Sequence, residues 1–352
     1  MKHKMVIVGF GGMGKWHYDN IAGRIPQIEV TGVIDTDPSK TREALEAGLK
    51  VYASAEDVIK VGEADIALIA TPNCFHKQYA VDFLLGGLNV VCEKPVCMNT
   101  AELEEILSAR AKTDKMFTVH HNRRWDMDFQ IAKRIINERL IGKPYYIDSR
   151  LYGCKGLPGD WRADMSAGGG MLYDWSVHLI DQMLQLTGCA PESVYADLKK
   201  IRYKGVDDCN RLLLNFPGGL TGEITVDSWC YINEPRWHIS ADDGTAIIDN
   251  WFGKSGKIVK ANIKEIDWEK GVIVTPNGRT RTLSPRPQEH LTEWELPLPP
   301  DADTRWEAFY ENVVAVIEGR GEQIVKIEEI IITTKIIDAC FESARKGQTV
   351  KL

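Results

Sequence analysis

"KMVIVGFGGMGKWHYDNIA", residues 4 to 22, decides the fold. A short apolar run ends at Gly9-x-Gly11-x-x-Gly14, and a helical pattern follows. Alone, three glycines at this spacing say little. Between a strand and a helix they read as a dinucleotide-binding turn. Gly9 permits the tight turn, Gly11 keeps side-chain atoms away from a pyrophosphate, and Gly14 lets the helix pack close to its strand. The free amides at the helix start then face the phosphates. Phe10, Gly12 and Met13 complete this loop and belong with it in the cofactor site.

The next strand, "IEVTGVID", ends at Asp35. An acidic residue about 20 positions after the glycines can bind the ribose hydroxyls. The competing role, capping the following helix, falls to Asp37, with Pro38 at the first helical position. Asp35 is therefore free for ribose and would repel a 2′-phosphate, which favours NAD over NADP.

The alternation continues through "REALEAG" (helix), "ADIALIAT" (strand), "FHKQYAVDFLLGG" (helix), "LNVVCEK" (strand), "AELEEILSARAK" (helix) and "MFTVHH" (strand). Wholly apolar strands between amphipathic helices indicate a doubly wound parallel sheet. Ligands bind beyond the carboxyl ends of such strands. That places Thr71, Pro72 and Asn73, then Glu93, Lys94 and Pro95, then Asn122 near the cofactor, with His76 just after the first group. Lys94 stands out, because Pro95 biases it toward an extended conformation at a strand exit.

Composition sets the frame. A chain of 352 residues exceeds one ordinary core, so two domains are expected. Hydrophobic residues at 44% and charged residues at 26% describe a globular protein in water. A net charge of −7 without a basic stripe argues against nucleic acid. No run is long enough to span a membrane or to act as a signal segment, so a cytoplasmic protein without a membrane partner is expected. The eight cysteines are scattered without Cys-x-x-Cys, which fits reduced thiols rather than disulfides or zinc.

A second stretch raises a chemical question. In "SAGGGMLYDWSVHLIDQML", residues 166 to 184, three glycines run into an apolar helix carrying Asp174, His178 and Asp181. At i, i+4 and i+7 these three share one helical face. An isolated Asp–His pair fits a solvated face as well as a site.

Taken together, "VGFGGMG", "ATPNCFH", "CEKPV", "HHNRRWD" and "WRADMSAGGGMLYDWSVHLIDQML" resemble the Gfo/Idh/MocA oxidoreductases, which include glucose–fructose oxidoreductase and the inositol dehydrogenases. The closing segment from "YENVVAVIEG" onward is also similar, and residues 230 to 300 match least. The resemblance implies an N-terminal Rossmann domain over 1–122. It also implies a C-terminal α/β domain over 123–352 with a large, mainly antiparallel open sheet for substrate binding and oligomerisation. "KPYYIDSRLYG", "CNRLLLNF", "LTGEITVDSW" and "WHISADDGTAIID" read as its strands, rich in β-branched and aromatic residues. "PGG" at 217–219 and "DDG" at 242–244 supply turns, and "LPLPPDAD" at 296–303 a connector.

Carried over by motif, Lys94, Asp174 and His178 match the family's catalytic set. The resemblance also points Arg123, Trp161 and Arg162 at the ligand, and it gives the glycine run a close approach to cofactor and substrate. Asp181 is left to anchor its helix. Metal chemistry at Asp174, His178 and Asp181 is not expected, because hydride transfer needs none. The activity implied is NAD-dependent oxidation of a secondary hydroxyl of a sugar, glycoside or cyclitol to a ketone, or the reverse. Tyr152, Trp161 and Tyr173 offer aromatic faces to a sugar ring or fill the core, and the poorly matched region leaves room for an aglycone. Homo-oligomers (dimer, tetramer or higher) are implied by the family. Reduction of a non-sugar carbonyl or imine, or a non-catalytic NAD-binding sensor, are the other readings of the same fold.

Overall fold

The computed structural model describes residues 2–262, 264, 272–280, 288–298 and 302–352. Parts of the poorly matched region, and residues 299–301 of the proline-rich connector, lie outside the described residues.

The first sheet contains β1 (His3–Val8), β2 (Ile28–Ile34), β3 (Lys50–Tyr52), β4 (Ile66–Ile69), β5 (Asn89–Cys92) and β6 (Phe117–Val119). All pairs are parallel, in the order β3-β2-β1-β4-β5-β6. Val6, Ile7 and Val8, like Ile66 to Ile69, have no exposed surface, which explains their lack of polar alternation. Val8 pairs with Ile34 on one side and Ile69 on the other, Ile69 with Cys92, and Cys92 with Val119. The chain therefore leaves the sheet at one level at Gly9, Asp35, Ala70, Glu93 and His120. Sequence order reverses between β1 and β4, which is where a doubly wound sheet opens a crevice.

The connecting helices are α1 (Gly12–Ile21), α2 (Pro38–Glu46), α3 (Ala55–Val61), α4 (His76–Leu85) and α5 (Thr100–Arg110). Asp37 caps α2 by accepting from Ser39 N at 2.7 Å. The pair β3 and α3 was not anticipated. β3 has only three residues, none of them buried, so it carries no continuous apolar signal.

After a short turn at Asn122–Trp125 and α6 (Met127–Asn137), the second sheet begins at β7 (Pro144–Tyr152). Helix α7 (Val177–Thr187) leads to β8 (Ser193–Lys199), β9 (Cys209–Asn215), β10 (Thr221–Asp227), β11 (Trp237–Ala241), β12 (Gly244–Ile248) and β13 (Gly256–Ala261). A separate hairpin joins β14 (Ile273–Thr275) to β15 (Gly278–Thr280), and β16 (Leu291–Trp294) follows. Helices α8 (Glu307–Ile317) and α9 (Ile327–Lys346) precede β17 (Val350–Lys351). The large sheet runs β16-β13-β12-β11-β7-β10-β9-β8-β17 and is antiparallel except for β7 with β10. The predicted turns fall between β9 and β10 and between β11 and β12; Gly218 and Gly219 have φ of 78° and 84°, open to glycine but strained for other residues.

Side chains such as Ile131 and Ile135 of α6, Ile180 and Met183 of α7, and Ile336 and Ile337 of α9 share a core with one face of this sheet. Tyr195 and Leu213 stand exposed on the other face. The chain also returns to its beginning. Phe309, Tyr310, Val313 and Val314 of α8 pack into the first core, with Val325 and Ile330. No described helix is long and apolar enough to cross a membrane.

Candidate active site

A cavity of about 710 Å³ opens at the carboxyl ends of β1, β2, β4 and β5. Its floor is the glycine loop. Gly9 has φ +88°, and a Cβ there would lie 2.7 Å from Ala70 O. A Cβ on Gly14 would lie 1.8 Å from Gly9 O, so helix α1 rests directly on the turn. At Gly11 and Gly12 an added Cβ would meet nothing within 4 Å. Bare backbone thus faces open space, and α1 has no side-chain cap on its first amides. This is a cradle for an anion. Phe10 is fully buried, so only its backbone belongs to the loop.

Asp35 is fixed by the same loop. Its Oδ2 accepts from Phe10 N at 2.6 Å, and its Oδ1 from Asp37 N at 2.8 Å. Each carboxylate oxygen keeps acceptor capacity for a ribose hydroxyl. Lys40 lines the cavity beside it, a cation that sequence reasoning passed over. Thr71, Pro72 and Asn73 line the opposite wall, and Thr71 Oγ1 is buried without a partner. This donor set, glycine cradle and orphaned hydroxyl fit a dinucleotide. His76 and Asn122 are not among the lining residues. His76 is fully buried, with ring nitrogens 2.8 Å from Pro95 O and 2.9 Å from Thr71 O. It fastens two strand exits together.

At the far end of the cavity Lys94 Nζ donates to Asp174 O at 2.6 Å and to its Oδ1 at 2.9 Å. The Lys94–Pro95 peptide is cis. Asp174 sits in a π-helical turn, Leu172–Ser176, that leads into α7. Such turns recur at functional sites, because the extra residue re-aims a side chain. Burial alone would raise the Asp174 pKa, but Lys94, with help from Arg162, holds it below the usual range. Arg162 Nε lies 3.7 Å from Asp174 Oδ2, and its guanidinium stacks 4.5 Å over Trp161. Both residues line the cavity.

His178 is buried one step behind and does not line the cavity. Burial, then the charges of Lys94 and Arg123, push its pKa well below 6.5, so it is neutral near pH 7. Its Nδ1 has no partner among the described residues. Asp181, left to anchor its helix, does not line the cavity. It instead takes a bidentate pair from Arg124, at 2.8 and 2.5 Å, in the domain core.

The glycine run also differs from expectation. A Cβ on Gly168 would lie 2.5 Å from Asn73 Cβ, one on Gly169 2.3 Å from Arg162 O, and one on Gly170 2.4 Å from Asp207 Oδ1. The space these glycines leave is filled by the protein's own chain, which draws the Trp161–Arg162 turn and the β4 exit onto the π turn.

Arg123 stacks over Trp175 at 5.2 Å and over Trp251 at 5.0 Å. Trp251 follows β12 in the poorly matched region and had no signal in the sequence. Tyr152 donates to Glu234 Oε2 at 3.0 Å and lines a separate cavity of about 380 Å³ with Met171 and Trp175. Tyr173 is buried beside Phe341 and donates to Met98 O at 2.5 Å, a core role. Glu93 borders the cavity, but its carboxylate engages buried His17 and His120. Among the described residues, these three are the group whose potential metal-ligating atoms lie within 4.8 Å of one another.

Fold and site together define a dinucleotide-binding oxidoreductase scaffold. Residues 3–121 match the family model described as "Oxidoreductase family, NAD-binding Rossmann fold", and residues 129–247 match the "GFO/IDH/MocA C-terminal domain". The chain belongs to the Gfo/Idh/MocA oxidoreductase family. It is 38% identical to an NAD-binding protein from Listeria innocua whose crystal structure it matches with a TM-score of 0.88, covering 100% of this chain and 97% of that one. An uncharacterized oxidoreductase of Schizosaccharomyces pombe is 27% identical over 89% of this chain and 88% of its own. The NADP+-dependent scyllo-inositol 2-dehydrogenase of Bacillus subtilis is 24% identical over 99% of this chain and 96% of its own.

Proposed function

We propose that the protein oxidises a secondary hydroxyl of a sugar, glycoside or cyclitol to a ketone, or catalyses the reverse, with NAD as redox partner. The observation that carries this reading is the convergence of Lys94, Asp174 and Arg162 at one end of a cavity whose other end is the glycine cradle and Asp35. Gly9 to Gly14 and the start of α1 hold the pyrophosphate, Asp35 the ribose, and Thr71 to Asn73 the remainder. A nicotinamide held there supplies the hydride acceptor. Lys94 Nζ donates a hydrogen bond to the reacting oxygen and stabilises the charge that grows on it. Neutral His178, behind the cavity wall, takes the hydroxyl proton as general base when substrate enters past Lys94 and Asp174. Asp174 holds the side chain of Lys94 in place, and Arg162, which lines the cavity beside it, reaches a neighbouring hydroxyl. The name of the Bacillus relative supports a cyclitol among the substrates, and its NADP+ makes the cofactor choice at Asp35 and Lys40 worth measuring.

The division at residues 122 and 123 between cofactor and substrate domains belongs to the same proposal. So does self-association through the exposed sheet face bearing Tyr195 and Leu213, which sedimentation would read.

The test is product analysis after incubation with NAD and a panel of sugars, glycosides and inositols. A keto sugar, keto glycoside or inosose supports the reading. If none is oxidised and no keto sugar is reduced with NADH, while a non-sugar carbonyl or imine is turned over, the substrate assignment fails.

A further inference from the structure

Behind Lys94 lies a chain of buried polar groups that the proposed chemistry does not use. Glu93 Oε1 lies 2.8 Å from His17 Nε2 and 2.8 Å from His120 Nδ1. Its other oxygen, Oε2, accepts from Lys94 N at 3.1 Å. His17 Nδ1 faces the hydroxyl of Tyr310. His17, His120 and Tyr310 have no exposed surface, and Glu93 is 4% exposed. The members come from four places: His17 from α1, Glu93 from the exit of β5, His120 from the exit of β6, and Tyr310 from α8.

Donor and acceptor counting fixes the direction. An ionised carboxylate only accepts, so both histidine nitrogens that face Glu93 donate. His17 Nδ1 is then a lone pair and accepts from the Tyr310 hydroxyl. His120 Nε2 is left as the unpartnered atom, as found. Burial favours a neutral Glu93, yet His120 and His17 outweigh it and hold its pKa well below the usual range. Burial likewise keeps His17 neutral despite Glu93. Glu93 is therefore ionised, and three donors, His17 Nε2, His120 Nδ1 and Lys94 N, are aimed at its carboxylate.

We propose that His17, Glu93 and Tyr310 are positioning residues for the catalytic lysine. They form a buried relay that ties α8 and the phosphate-cradling helix α1 to the peptide N–H of Lys94. Glu93 sets the backbone from which Lys94 reaches Asp174, and His17 sets Glu93. Because α1 carries both the cradle and His17, one rigid helix registers the redox partner against the lysine. Tyr310 extends this dependence to the C-terminal part of the chain, which packs on the first core. A hydrogen-bonded network of this kind is costly if one member is left unpaired, so it holds a single geometry.

The role rests on Lys94 acting as proposed above, and the test keeps the two apart. Tyr310→Phe removes a hydroxyl with little change in volume, His17→Phe removes both ring nitrogens but enlarges a buried ring, and His17→Gln keeps a donor and an acceptor. Two readouts are taken on folded protein. The first is kcat, KM and NAD affinity with the most active compound of the substrate panel. The second is reductive methylation with formaldehyde and cyanoborohydride, in which labelling of Lys94 is compared with Lys15 by peptide mass spectrometry and needs no substrate. The expected result is that Tyr310→Phe and His17→Phe lower kcat by tenfold or more, with KM and NAD affinity within threefold. Labelling of Lys94 rises at least threefold relative to Lys15, and His17→Gln restores both. Unchanged Lys94 labelling in both phenylalanine variants overturns the relay, as does labelling that rises equally at Lys15, the sign of general loosening. An active Lys94→Met variant, by contrast, sinks the catalytic reading while leaving the labelling result to stand or fall by itself.

Discussion

Lys94 Nζ lies 2.6 Å from the main-chain oxygen of Asp174 and 2.9 Å from its carboxylate. This contact joins a strand exit of the first sheet to the π turn that opens α7 of the second domain. Lys94→Met and Asp174→Ala should each lower kcat by roughly 10²–10⁴. Because the two act as a unit, the double variant should be little worse than the poorer single one. NAD affinity, read by titration, should stay within a few-fold in all three. Additive losses would mean that the pair does not work together.

Glycine positions separate folding from binding. At Gly14 a Cβ would lie 1.8 Å from Gly9 O, whereas at Gly11 it would meet nothing within 4 Å. Gly14→Ala should unfold or melt several degrees lower. Gly11→Ala should keep the wild-type melting temperature and lose NAD affinity by about tenfold, or ~1.4 kcal/mol. Normal NAD binding by Gly11→Ala would remove the cradle from this loop.

Cofactor choice should follow Asp35. We expect NAD to exceed NADP in kcat/KM by at least about tenfold, because a 2′-phosphate would face a carboxylate. Asp35→Ser should narrow that ratio, with Lys40 then nearest to the phosphate. Equal use of both cofactors by the unaltered protein would take the role from Asp35.

pH acts through the buried histidines. His178 and His17 have folded pKa values below 6.5, chiefly from burial. The unfolded chain therefore binds protons below about pH 6.5 that the folded chain refuses, and stability falls as pH drops through that range. Asp174 and Asp181, both lowered, add to the loss once pH falls below the usual carboxylate range. The general base stays neutral over the same window, so kcat should hold at pH 6 if the fold persists. Burial raises Asp126, Asp148 and Asp207 to about 6, so below pH 6 the folded chain binds protons there first and offsets part of the loss. Stability that fails to fall between about pH 7.5 and 6, in denaturant melts, would contradict the burial of the histidines.

The Arg124–Asp181 pair is a separate matter. Asp181→Ala leaves a buried guanidinium with fewer partners and should cost about 3–5 kcal/mol. Glu329, 2.9 Å from Arg124, remains to soften the loss. Activity per folded molecule should be unchanged, because Asp181 is turned away from the cavity.

The parallel sheet was legible because buried strands leave unbroken apolar runs and because the glycine spacing, Asp35 and Asp37 each have one local job. Lys94 could be placed by its strand exit alone. The second domain was harder. Its strands alternate, and the edge strands β16 and β17, with their neighbours β13 and β8, were passed over. The π turn at Leu172–Ser176 was out of reach, because a turn of this kind has no local signature. The partners of Glu93 were out of reach for another reason. His17 and Tyr310 lie 293 positions apart, and only the return of α8 to the first core brings them together. Trp251, stacked on Arg123, lacked any motif.

The most direct test of the central claim is the absorbance of reduced nicotinamide when purified protein and NAD meet a panel of sugars, glycosides and cyclitols. We predict a rise with at least one of them that is lost in Lys94→Met. No rise with any of them, together with NADH consumption on a non-sugar carbonyl or imine, would contradict the account.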